Sequence, residues 1–347
     1  GGITSLAQTS NGTAIAATRD AMWDAMQFQN VLSVSGDFST WTGGFGLARS
    51  GIDMYTFAQE FVIYNADKSS DRTSIESNMG DYFTQNTPLL DTYTTAGAAF
   101  SLRKLRSDYS GSAIRIRRSS DNTEQDIGFT SANEIDSVAI TNFAGSGDAF
   151  VKTWYNQVSG GNDATQTTTS QQPKIVDSGA LITSGGKVAM DFDGSNDKFA
   201  DVDGLTINTN DCGAFVVCEF AGSGTQYDAA LNIGPDNNDE IVLGYRSSQI
   251  AYCGSIQGSV TTNTAQNLVS VYADNASSDV KGYYNQVQTL SDTPESNTSD
   301  SIEIANVRGV SYHHWRGTIQ EVIFFPSSTK SDHTAIENSI NSFYSLF

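Results

Sequence analysis

The feature that most constrains this chain is a long series of short apolar stretches, each closed by a cluster of turn residues. After Leu89 they read DAFVKTWYNQ, KVAMDFDG, GAFVVCEF, EIVLGY, NLVSVYAD, VKGYYNQVQTL, SIEIANV and TIQEVIFF, with SGGND, DGSND, GPDNND and ADNASSD between them. Short apolar runs bounded by Gly, Asn, Asp and Ser are strand signals. Ala113-Ile114-Arg115-Ile116-Arg117 alternates, which turns one face to a core and the other to solvent. No helical stretches separate the strands, so a βαβ order is disfavoured. The pattern predicts an all-β fold over 89–347, an antiparallel two-sheet jelly-roll sandwich with a C-terminal helix. A smaller mixed α+β region over 1–88 precedes it.

A second constraint is a repeated segment. Gln59, Glu60, Asp71, Thr73, Ile75 and Glu76 match Gln320, Glu321, Asp332, Thr334, Ile336 and Glu337 without a gap. Each copy begins with an apolar run, Phe61 to Tyr64 or Val322 to Phe325, which reads as a buried strand. Apolar residues then recur at Ile75, Met79, Tyr82 and Phe83, and at Ile336, Ile340, Phe343 and Tyr344, the spacing of one helix face. Thr-x-x-Glu supplies a candidate capping box. Fixed-distance self-similarity is the mark of repeated units. The copy at 57–83 therefore reads as the closing piece of an upstream unit, packed on the sandwich or on a sister subunit. Further upstream, the helical spacing in ATRDAMWDAMQFQNVL is imperfect.

The formal net charge is −20, which disfavours nucleic-acid binding. No apolar run is long enough to span a membrane, and the N-terminus GGITSLAQTSNGT lacks the basic start and apolar region of a signal peptide. Three cysteines, Cys212, Cys218 and Cys253, make no disulfide framework; their spacing leaves a single bond open, and buried free thiols are the expected state of Cys212 and Cys218.

Several clusters are chemical candidates. Asp191, Asp193, Asn196 and Asp197 could hold Ca²⁺ as a cofactor, or form a side-chain-capped turn. Arg103, Lys104, Arg106, Arg115, Arg117 and Arg118 could clamp an acidic partner or sister subunit, or pair within the chain. His313 and His314 are adjacent and cannot share a strand face, which disfavours a metal site. Trp315 beside Tyr312 is a candidate glycan platform or a packed ring. A retaining glycosidase needs two carboxylates about 5 Å apart, and the acids in or next to strands are Glu219, Asp239, Glu240, Glu303 and Glu321. No Ser–His–Asp or phosphate-loop signature occurs.

Three blocks carry a resemblance: AGAAFSLRKLRSDYSGSAIRIRRSSDNTEQDIGF, GDAFVKTWYNQVSGGNDATQ and KVAMDFDGSNDKF. In this order they resemble the concanavalin-like (laminin-G-like) jelly roll of phage virion proteins and the catalytic sandwich of family 54 α-L-arabinofuranosidases. Trp154, Tyr155, Asn156 and Gln157, with Asn162 and Asp163, resemble that family's Tyr-Asp-Gln-Ser-Gly-x-Gly-Asn stretch. Asn156 stands in place of Asp and Val158 in place of Ser. These residues, with Trp315, are the expected sugar contacts, an aromatic face and amides; the alternative is a structural turn. SSQIAYCGS, where the family's nucleophile is expected, holds no acid. The resemblance implies a virion appendage protein on the particle surface or otherwise extracellular. It would be homo-oligomeric, attached to virion proteins or sister subunits through 1–88, and would touch host polysaccharide without cleaving it. A secreted glycoside hydrolase on arabinose-containing polysaccharide and a bacterial adhesin are the alternatives.

Overall fold

A computed structural model describes residues 6–10, 13–15, 32–36, 71, 87–221, 227–234, 241–246, 252–253, 256–257, 265–293, 297–309 and 313–347. The chain divides into two compact units, Gly1–Thr87 and Pro88–Phe347. In the first, Leu6–Ser10 pairs antiparallel with Thr13–Ile15 on one side and Leu32–Gly36 on the other. Apart from Asp71, the repeated segment 57–83 lies outside the described residues, as do residues 17–31 of the imperfect helical spacing, whose last residue, Leu32, opens the strand Leu32–Gly36.

The second unit is an antiparallel β-sandwich, as the strand pattern predicts. Its larger sheet follows the order Val287–Asp292, Asp279–Tyr284, Gln266–Asp274, Cys212–Phe220, Arg316–Phe325, Met190–Asp193, Lys174–Asp177, Ala149–Trp154, Ile114–Arg118 and Glu124–Ile127. The smaller sheet runs Phe199–Val202, Ile302–Ile304, Tyr227–Ile233, Ile241–Arg246, Tyr252–Cys253 and Ile256–Gln257.

Cys212–Phe220 shows why a continuous apolar run is needed. It lies between Gln266–Asp274 and the closing strand Arg316–Phe325. Ala214, Val216, Cys218 and Phe220 join Phe199, Leu231, Ile302 and Ile304 of the other sheet in the main core. Phe215 and Val217 face the opposite way, into a second core with Leu89, Leu90, Ile336, Ile340 and Tyr344. A strand covered on both faces has no solvent side and so carries no polar alternation.

The C-terminal helix, His333–Tyr344, buries Ile336, Ile340 and Tyr344 at the expected spacing. The capping box does not form. Asp332 makes no side-chain cap, and Glu337 turns inward to accept the Ser270 hydroxyl at 2.6 Å. A second helix, Ser137–Ala144, begins at Asp136, whose carboxylate accepts the Ala139 amide at 2.9 Å. The strand pattern alone did not predict it.

Candidate functional site

An ionisable group taken out of water needs a partner or a task. Most buried acids here have a structural partner. Glu321 receives Arg103 in a fork, at 2.7 and 2.9 Å, and the Ser101 hydroxyl at 2.7 Å. The guanidinium also lies over the Phe343 and Tyr344 rings. This joins Ala98–Ser101, the closing strand and the helix. Glu219 accepts the Ser184 hydroxyl at 2.5 Å.

Glu303 is placed differently. Ile302 and Ile304 on either side of it enter the main core, so alternation sends Glu303 to the outer face of the smaller sheet. Asn232 is its cross-strand partner and Val242 lies opposite Asn232. The Glu303 side chain is only 4 % exposed. Asn306 Nδ2 donates to its Oε2 at 3.0 Å, and the Asp201 backbone N–H to its Oε1 at 3.1 Å. Asp201 is a non-glycine residue at φ 51°, a conformation that costs free energy and tends to gather at functional sites. Arg308 Nε stands 3.9 Å from Glu303 Oε1, and its Nη2 donates to Asp201 Oδ1 at 3.1 Å. The Arg308 backbone N–H donates to Asn232 Oδ1 at 3.2 Å. Burial holds the Glu303 carboxyl above the usual carboxylate range, against the pull of Asn306, the Asp201 amide and Arg308. Asn306 is 3 % exposed and its Oδ1 meets no donor among the described residues. A buried acceptor without a donor calls for an explanation, such as a water or a ligand hydroxyl.

Asp228, on the neighbouring strand, is 9 % exposed. Desolvation pushes its carboxyl up to about 6, with Arg316 opposing. Ala229 groups with Val242 and Val307 on the outer side, so alternation turns Asp228 to the inner side. Glu303 and Asp228 therefore lie on opposite faces and do not form the opposed pair of a glycosidase. Asp239 and Glu240 lie outside the described residues.

The expected sugar contacts are placed as packing and turn residues. Trp154 is fully buried between Phe100 and Phe199, and Trp315 is 3 % exposed against Phe220. Neither ring presents a face to solvent, which corrects their stacking role. Asn156 accepts the Ala99 amide at 3.0 Å, and Gln157 Oε1 accepts the Leu105 amide at 2.7 Å. Asp163 accepts the Asn156 amide at 2.9 Å, and Asn162 donates to the Asp203 carbonyl at 3.0 Å. Tyr155 is half-buried and donates to Asp126 at 2.7 Å.

The basic cluster pairs internally. Arg103 meets Glu321, Arg106 meets Asp108, Arg115 meets Asp126 and Arg118 meets Asp121. Arg117 donates to Gln172 and Asn122. This removes the basis for an acidic-partner clamp. Asp193 accepts the amides of Ser195, Asn196 and Asp197, and Asp197 accepts that of Asp193. These bonds make a capped turn in place of the Ca²⁺ cage, and among the described residues no group of His, Cys, Asp and Glu is arranged to hold a metal ion. Cys212 and Cys218 are buried, and burial pushes the Cys218 thiol up to about 12. Asn232, Asn306 and Arg308 were missed by sequence reasoning, because only the register brings them to Glu303.

This architecture defines a β-sandwich with a buried acidic and amide cluster on the outer face of one sheet. Known proteins give it a context. A family model described as "Alpha-L-arabinofuranosidase B, catalytic" matches residues 82–243, somewhat under half of the chain. Among solved structures, a GH54 α-L-arabinofuranosidase mutant soaked with 4-nitrophenyl α-L-arabinofuranoside aligns with a TM-score of 0.57 at 16 % identity. An arabinofuranosidase complexed with arabinofuranosyl-α-1,2-xylobiose aligns with a TM-score of 0.55 at 16 % identity. Both alignments cover 76 % of this chain and 64 % of the other, so the chain spans somewhat under two thirds of those structures. No curated protein matches it in sequence.

Proposed function

We propose that the second unit is a carbohydrate-directed sandwich of the arabinofuranosidase B kind. It engages arabinofuranosyl-bearing polysaccharide at the outer face of the smaller sheet, with Glu303 as the carboxylate that meets the sugar. The observation that carries this is the Glu303–Asn306 pair, a buried carboxylate beside a buried amide oxygen that lacks a donor among the described residues. Sugar hydroxyls are the natural donors to such a pair. The likeness to arabinofuranosidase structures supports the choice of sugar.

The test is titration of the full chain with arabinan and with 4-nitrophenyl α-L-arabinofuranoside, comparing wild type with Glu303→Gln. Binding should fall at least about tenfold in the variant, a loss of ~1.4 kcal/mol, with the melting temperature preserved. Equal binding by both, or none by wild type, rejects the proposal.

A second reading is hydrolysis, which the match to a catalytic-domain model favours. It requires a second carboxylate on the outer face. Of the acids named from the sequence, Asp239 and Glu240 lie outside the described residues. Release of 4-nitrophenol that Glu303→Gln abolishes would establish it. Display on a phage particle or cell surface, with 1–88 as the attachment to sister subunits, is a further reading that rests on the sequence resemblance. Antibody labelling of particles would test it.

A further inference from the structure

Among the described residues, the outer-face cluster contains more acids than its one cation can neutralise. Asp201, Asp300 and Glu303 surround Arg308, at 3.1, 3.9 and 3.9 Å from its guanidinium nitrogens. Asp201 and Asp300 are largely exposed, whereas Glu303 is not. Arg308 also reaches the Ser299 hydroxyl at 3.4 Å, and its backbone holds Asn232. One residue thus touches the segments that supply Asp201, Glu303 and Asn232, through its side chain and its main chain together. Among the described residues, the other groups around Glu303 are Asn306, the Asp201 amide, Asn232 and Val242. None of these is cationic.

We infer that Arg308 is the positioning residue of this site, the counter-charge that faces Glu303 and fixes Asn232, and that the cluster selects neutral over anionic sugars. The inference rests on the reading of Glu303 as the sugar contact. Two physical arguments support it. A buried carboxylate stays charged only with a nearby opposite charge or strong donors, and Arg308 is the one cation near Glu303 among the described residues. With three carboxylates around one guanidinium the cluster keeps a net negative charge, which repels a uronate or sialate carboxylate.

The direction of each perturbation follows. Removing Arg308 leaves burial and Asp201 acting on Glu303 with less opposition, so its titration midpoint moves up. Removing the Asp201 charge frees Arg308 for Glu303, so the midpoint moves down. A purely structural Arg308 would change stability and leave the midpoint where it was.

The experiment follows the Glu303 carboxyl by ¹³C NMR of glutamate-labelled full chain, assigned with Glu303→Gln, in wild type, Arg308→Met, Arg308→Lys and Asp201→Asn. Arabinan binding is measured across pH in parallel, with polygalacturonate as the anionic control. The expected result is an upward shift in Arg308→Met, a value near wild type in Arg308→Lys and a downward shift in Asp201→Asn. The pH profile of arabinan binding should follow, with no binding of polygalacturonate. An unmoved midpoint in Arg308→Met overturns the positioning role. Should that variant fail to fold, an unmoved midpoint in Asp201→Asn does the same. Binding of polygalacturonate as tightly as arabinan overturns the selectivity. If the midpoints shift as expected but no arabinan binds, the positioning role stands and the sugar reading fails, so the two are separable.

Discussion

Replacing Glu321 by Gln tests the buried joint between the closing strand, Ala98–Ser101 and the C-terminal helix. The substitution preserves shape and removes one charge. Arg103 is 4 % exposed and its guanidinium is forked onto Glu321. The variant therefore leaves a buried cation beside a neutral amide. Breaking a buried pair from one side costs about 3–5 kcal/mol, because the remaining charge stays out of water. In a domain of this size each kcal/mol lowers the melting temperature by ~2–4 °C, which gives a fall of about 6–20 °C. Circular dichroism melts of the full chain read this directly. Replacing both partners by Met should recover most of the loss, since a well-packed apolar pair avoids the desolvation penalty. A Glu321→Gln variant within about 1 kcal/mol of wild type would refute the reasoning. So would a double variant less stable than either single one.

Two further predictions rest on local features of the same unit. Asp228 has a folded value of about 6, above the ~3.9 of an unfolded Asp. Its stabilising contribution is therefore complete below the unfolded value and is lost as pH rises through the folded one. Asp228→Asn should gain roughly 2–3 kcal/mol at pH 7.5 and nothing near pH 4, as urea unfolding at both pH values would show; an equal gain at pH 4 contradicts it. Gly317 sits at φ 126°, and a Cβ there would fall 2.1 Å from the Glu219 carbonyl oxygen. Gly317→Ala should lose at least about 1–3 kcal/mol, and a wild-type melting curve would exclude the steric account.

How far the sequence foretold this structure depends on the range of the interaction concerned. The strands were legible because each has a local signature, such as the apolar run at Cys212–Cys218 or the alternation at Ile114–Arg118. The C-terminal helix was legible from Ile336, Ile340 and Tyr344. Ser137–Ala144 was not, because only Ile140 and Ala144 are buried, while Val138 faces solvent and Phe143 is only partly covered, which blurs the apolar face. The cap expected at Glu337 lost to a long-range partner, Ser270, which no local pattern shows. Trp154 looked like a sugar platform because polar neighbours follow it. Its own strand instead ends inside the core, between Phe100 and Phe199. Glu303 is among the strand acids legible in the sequence. Its partners come from Asn232, Asp201 and Arg308, whose approach is set by sheet register.

That dependence on register bears on the repeated segment. In the sandwich, Gln266 donates to Gln320 and Ser270 to Glu337, across separations of 54 and 67 residues. Both ends of both bonds recur upstream. Gln29, Asn30, Ser33, Val34 and Asp37 repeat Gln266, Asn267, Ser270, Val271 and Asp274, while Gln59 and Glu76 repeat Gln320 and Glu337. Chance likeness between two strands would not keep paired partners. Relative to the sandwich, the Gln29–Gln59 and Ser33–Glu76 separations are each shorter by 24 residues. A single shortening between Asp37 and Gln59 accounts for both. In the sandwich the corresponding stretch, Asp274 to Gln320, carries Glu303, Asn306 and Arg308. The upstream copy thus retains the residues that lock strand to strand and helix to sheet. It is shortened in the stretch that, in the second unit, builds the outer-face site. Chemistry at that site is accordingly expected of residues 88–347 alone.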